Sequence, residues 1–132
     1  MYRLVFLSLI LLAAGCCPKP YPSPEERTMS FKAKAGEIFE NNIVIIPNSS
    51  GEVAVMYTQP ERSNRNPMPT LQIVIYNLDT DEILHRATAV RGTVKWYSNE
   101  EVHIMSAPGQ ISRDEPMDKG YYFNVYTKET RK

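Results

Sequence analysis

From Phe31 onward the apolar residues come in short segments, and turn-forming clusters separate them; this pattern constrains the fold most. Phe31, Ala33 and Ala35 alternate with Lys32 and Lys34, the two-residue period of a half-buried strand. Ile43-Val44-Ile45-Ile46 stops at Pro47, Asn48-Ser49-Ser50-Gly51 makes a turn, and residues 53–57 return as the second arm of a hairpin. In residues 71–76 both alternating sets contain apolar side chains, with Val74 and Tyr76 opposite Leu71, Ile73 and Ile75. A strand of that kind is central and covered on both faces. Turns at 77–82, 91–92 and 98–100 separate further strands at 83–90, 93–97 and 102–105, and residues 121–127 supply the last. Only residues 36–42 admit a short helix. About eight strands joined mostly by tight turns predict an all-β fold, a small antiparallel β-sandwich or open barrel containing a meander.

The first residues belong to a different physical class. Arg3 is followed by an apolar run, residues 4–12, broken only by Ser8, and then by Ala13-Ala14-Gly15-Cys16-Cys17. A positive end, a short apolar core and a small-residue run are the parts of an export signal. A membrane span needs about 20 apolar residues, and this run is too short. Leu12-Ala13-Ala14-Gly15-Cys16 resembles the lipobox of bacterial lipoproteins, where cleavage precedes a diacylglycerol-bearing cysteine. The resemblance covers the signal alone, and it implies residues 1–15 as a signal peptide and Cys16 as the lipidated first residue of the mature chain. With roughly 0.8 kcal/mol gained per buried methylene, several acyl chains hold a soluble domain firmly to a bilayer. Cys17, in place of an aspartate, points to the outer membrane. An acidic cluster directly after the lipid cysteine is missing, which points to a domain in the periplasm rather than on the cell surface.

Pro18-Lys19-Pro20-Tyr21-Pro22-Ser23-Pro24 has proline at every second position, so residues 16–27 read as a stiff, extended tether and residues 28–132 as the β domain. Both cysteines of the chain sit at the anchor, so the folded part needs no disulfide. Lys and Arg number 15 and Asp and Glu 15, a balance that removes the electrostatic footprint of a nucleic-acid binder.

Candidate chemistry is sparse. Asp79, Asp81 and Glu82, and separately Asp114, Glu115 and Asp118, are too few and lack the glycine of a calcium loop. His85 and His103, the two histidines, fall on strands that could be neighbours, but no zinc-binding spacing accompanies them. No Gly-x-Ser-x-Gly motif or cysteine nucleophile marks a hydrolase. The expectation is therefore a non-enzyme with no cofactor and no metal.

Two loops interrupt the rhythm of tight turns. The loop over residues 59–69 carries Arg62 and Arg65 among three prolines, and these arginines are the candidate partner contacts. Trp96 and Tyr97 fall on opposite faces of one strand, so one is core; the other, with Tyr121, Tyr122 and Tyr126, forms a possible exposed aromatic strip. The resulting expectation is a membrane-anchored interaction module or accessory subunit of an envelope complex, with a protein partner. The alternative is a ligand-binding, glycan-binding or inhibitor lipoprotein that works through the loop end of the sheet.

Overall fold

The computed structural model describes Pro18 and residues 20–61, 63–65, 67, 69–106 and 120–132. Among the described residues one helix, α1 (Pro24–Ile38), precedes eight strands. The first four, β1 (Ile43–Pro47), β2 (Val53–Thr58), β3 (Thr70–Asn77) and β4 (Glu82–Val90), form an antiparallel meander. The next four, β5 (Thr93–Trp96), β6 (Glu101–Met105), β7 (Tyr121–Asn124) and β8 (Thr130–Arg131), form a second one. The two sheets pack as a sandwich, as the strand pattern predicts.

One predicted strand is replaced. Residues 31–35 lie inside α1, and the eighth strand comes instead from Thr130–Arg131. Ser23 starts the helix with a capping box: its hydroxyl accepts from the Glu26 N–H at 3.2 Å, while its own N–H donates to the Glu26 carboxylate at 2.9 Å. Pro24 occupies the first helical turn, where its missing N–H costs nothing. Arg27, Phe31, Ala35 and the capping Phe39 are buried at intervals of four, whereas Ala33 is exposed. The operative period is thus helical rather than two. Residues 24–27, expected within the extended tether, are therefore helical, and the helix begins at its cap Ser23 rather than after residue 27.

The helix splits the core into two layers. Between the sheets, Val53, Val55, Ile73 and Ile75 meet Val94, Val102, Ile104, Phe123 and Val125. Between α1 and the outer face of the first sheet, Phe31, Ala35 and Phe39 meet Ala54, Met56, Val74 and Tyr76. Strands β2 and β3 are therefore covered on both faces, as the two-sided pattern of residues 71–76 requires. Each fully buried valine, isoleucine or phenylalanine contributes about 1.5–3 kcal/mol. The β3–β4 register shifts between Ile75, which pairs with His85, and Tyr76, which pairs with Ile83, leaving Leu84 as a bulge.

The chain passes from one sheet to the other at Gly92. A Cβ there would lie 2.1 Å from the Met105 carbonyl oxygen and 2.6 Å from the Ala89 Cβ, so only glycine lets β4 turn into β5. β5 starts beside the end of β4, yet Trp96 at its far end reaches Ile46 on β1, the opposite edge of the first sheet. The second sheet therefore crosses the first diagonally.

The two ends of the sandwich differ. One end gathers the helix N-terminus and the tight hairpin turns, which bond to one another: Ser49 N–H to the Asn99 side chain at 3.0 Å, Leu78 N–H to the Glu52 carbonyl at 2.8 Å, Lys128 to Glu82 at 2.7 Å. Asn48, buried in its turn, accepts from the Val53 N–H at 3.2 Å and the Ser50 hydroxyl at 3.1 Å. The other end carries the helix C-terminus, the connections after β2 and β4 and the end of β6; Gln59 N–H bonds to the Asn42 carbonyl and Arg91 N–H to that of Pro69. The chain enters at the turn end, and the β2–β3 connection lies at the opposite one.

Candidate functional site

The outer face of the first sheet is covered by α1, and among the described residues no element covers that of the second. Register places Lys95, His103, Tyr122 and Arg131 side by side across β5 to β8 on this face. Their inward neighbours Val94, Val102, Ile104 and Phe123 belong to the core, so alternation turns this set outward.

Tyr122 is the centre of the group. His103 stacks on it with ring centroids 4.5 Å apart and planes at 14°. The Arg131 guanidinium carbon lies 4.1 Å from its centroid on the side of the neighbouring strand, a cation–π contact. Tyr97 meets it edge to face at 4.9 Å and 69°, and Arg131 also lies 5.8 Å from the Tyr97 ring. Glu101 fixes Arg131 through two hydrogen bonds of 2.8 Å, to Nε and Nη2. That pairing pushes the Glu101 carboxyl below and the Arg131 guanidinium above their ordinary pKa values, so both stay ionised.

Tyr97 is 60% exposed, His103 only 8%. Among the described residues the buried His103 Nε2 has no hydrogen-bond partner. The group thus presents two tyrosines and an arginine held in place by one another and by Glu101.

The predicted strip is only partly assembled. Trp96 packs against the core and Tyr97 is the exposed member of that pair. Tyr121 turns inward, its hydroxyl 2.9 Å from His85 Nε2, and Tyr126 sits in the β7–β8 turn with its hydroxyl donating to Glu52 at 3.2 Å. The two histidines are not neighbours. His85 belongs to the first sheet and stacks on Phe123 at 4.4 Å, whereas His103 lies on the outer face of the second. Burial holds the His85 imidazole below its ordinary pKa.

The acidic turn residues disperse to separate cations: Asp79 to Arg27 at 3.3 Å, Asp81 to Lys34 at 3.3 Å, and Glu82 to Lys128. Asp81 also accepts from the Tyr76 hydroxyl; burial, and after it this hydrogen bond, raises that phenol to about 12. Among the described residues no three His, Cys, Asp or Glu side chains converge as metal ligands.

Arg65 is exposed on the β2–β3 connection at the loop end. Two open grooves of about 510 and 520 Å³ lie at that end, lined by Asn42, Val44 and Glu61 and by Phe39, Asn41 and Thr70, with Pro60 common to both. Cys16, Arg62, Asp114, Glu115 and Asp118 lie outside the described residues.

Sequence reasoning missed His103 and Arg131 as members of the site. Arg131 stands on a two-residue strand with no periodicity to read, and His103 looks like any strand position until its register with Tyr122 is known. No protein-family model matches the chain, and neither do curated proteins or solved structures.

Proposed function

We propose that the protein is a non-catalytic lipoprotein of the bacterial outer membrane, anchored through Cys16, whose sandwich domain holds a protein partner in the periplasm as a module or accessory subunit of an envelope complex. The observation that carries this reading is the outer face of the second sheet, which no element covers among the described residues. Tyrosine and arginine dominate binding hot spots, and here Tyr97, Tyr122 and Arg131 are already fixed by one another and by Glu101. With the anchor at the N-terminus, the turn end faces the bilayer and the β2–β3 connection faces away from it, leaving the side face accessible.

A photo-crosslinking amino acid at position 97, introduced in cells, tests this. One recurrent adduct in native membranes, lost when the crosslinker is moved to exposed Lys32 on α1, is the expected result. Repeated absence of any specific adduct would overturn the reading.

A second reading rests on the two grooves that share Pro60 at the loop end, a place for a small ligand, a glycan or an inhibited enzyme. Saturable thermal stabilisation by such a ligand, unchanged by Tyr97→Ala, would favour it.

A further inference from the structure

A cleft lies between the start of α1 and the β1–β2 turn. It has a volume of about 320 Å³, and its walls include Tyr21, Pro22, Pro24, Phe31 and Pro47, with Arg27 at its base. Arg27 is 5% exposed, and its Nη1 donates to the Gly51 carbonyl at 2.8 Å. Its charge is met by Asp79 at 3.3 Å, a carboxylate itself 43% exposed. The Nε–H has no partner among the described residues, and the Tyr21 ring lies 4.4 Å over the guanidinium carbon. A buried cation with an unused donor, at the base of an apolar cleft, is an arrangement that costs stability unless something completes it.

We propose that this cleft binds a straight-chain fatty carboxylate, with the carboxylate on the Arg27 guanidinium and the alkyl chain along the prolines and Phe31. The unpaired Nε–H selects the head group: Asp79 meets the guanidinium at Nη2 alone and is itself 43% exposed, so a carboxylate at Nε gives the guanidinium a second, charge-assisted acceptor. The wall chemistry selects the tail: Pro22, Pro24 and Pro47 have no N–H, and the Ser49 and Ser50 hydroxyls are spent on Asn99 and Asn48. A peptide in this cleft would leave its own backbone groups unpaired, whereas an alkyl chain has none to satisfy. The volume suits a small ligand. Tyr21 is 74% exposed and lies ahead of the helix cap, so its ring swings aside to admit the carboxylate without disturbing α1. This inference does not depend on the partner-binding face, which lies on the other sheet.

The test uses the chain as cells produce it, labelled with ¹⁵N-arginine and kept in lipid nanodiscs if it is acylated, with empty nanodiscs as the control for partitioning. The Arg27 Nε–H resonance is followed while decanoate, and separately decanol, is added. A saturable downfield shift with decanoate, absent with decanol and weakened at least about tenfold by Thr28→Trp, is expected. Thr28 is an exposed wall residue, so a tryptophan there blocks the cleft while Arg27 and its partners stay in place. No shift up to about 1 mM decanoate, an equal response to decanol, or a full response in Thr28→Trp would each overturn the proposal.

Discussion

The indole nitrogen of Trp96 donates a 2.8 Å hydrogen bond to the backbone carbonyl of Ile46, so a side chain of the second sheet caps the edge strand of the first. Strand β1 is apolar along most of its length and lies at an open edge, the situation that invites pairing with another chain. Pro47, with no N–H to offer, blocks its end. Trp96→Phe keeps most of the ring and removes the donor. The Ile46 carbonyl keeps its ladder partner, the Val55 N–H, so the loss is that of one hydrogen bond, about 0.5–1.5 kcal/mol. Urea unfolding followed by circular dichroism should show a lowered midpoint with an unchanged slope, and light scattering should show faster aggregation of the variant.

Gly92 has a steric reason to be glycine. The carbonyl of Met105 stands where a β-carbon would go, so Gly92→Ala forces the backbone apart at the only covalent passage between the sheets. Overpacking of this kind costs about 1–3 kcal/mol or more. Gly36, where a β-carbon meets nothing within 4 Å, is the control: Gly36→Ala in the exposed face of α1 should stabilise by roughly 0.4–1 kcal/mol. Thermal melts of the two variants should move in opposite directions.

Stability should fall in mild acid because of His85. Burial lowers its folded pKa beneath the unfolded value of 6.5, so the unfolded chain binds the proton more readily. The contribution is complete above about pH 6.5 and declines as the pH drops below it, until the folded imidazole also titrates. His85→Gln removes that slope. Denaturation midpoints of the two proteins measured between pH 7.5 and 5 (a range of about two units around the unperturbed histidine value) should converge toward the acid end.

Tyr97→Ala and Arg131→Ala should separate binding from folding. Tyr97 is mostly exposed and Arg131 about half exposed, so melting temperatures should change little. Capture of the crosslinked partner should drop by about tenfold or more for each. Equal capture by both variants and the parent would remove this face from the proposed function.

A triacyl mass on the mature N-terminus, lost in Cys16→Ser, is the expected outcome of mass spectrometry on protein from native membranes. An unmodified soluble chain would remove the anchor from the proposed function.

The strands were legible where both faces or one face alternated cleanly: residues 43–46, 53–57, 71–76 and 102–105 all lie in strands of the sandwich. The helix was not, for a specific reason. Phe31 and Ala35 fit a period of two or of four equally well, Ala33 between them favours two although it is exposed, and the decisive signal, Ser23 with Glu26 three residues on, lies in a stretch whose prolines read as an extended tether. Its buried stripe also begins with Arg27, a charged residue that no hydrophobic pattern marks. The site was legible only as a list of tyrosines. Which of them share a face follows from strand parity, and Tyr97 and Tyr122 could be recognised that way once the strands were placed. Joining Arg131 and His103 to them needs the pairing of β6, β7 and β8, a long-range property that no local pattern encodes.

Because each sheet is a contiguous meander, the molecule can be assembled in the order in which the chain is made. Residues 24–90 contain the helix and the complete first sheet, sealed on one side by Phe31, Ala35 and Phe39. The other side, with Val53, Val55, Ile73 and Ile75, stays bare until residues 93–125 arrive. A chain emerging N-terminus first therefore passes through a half-built stage with one greasy surface facing water. Contacts between sequential hairpins form fast, which keeps that stage short, and a truncation near Val90 would make it permanent.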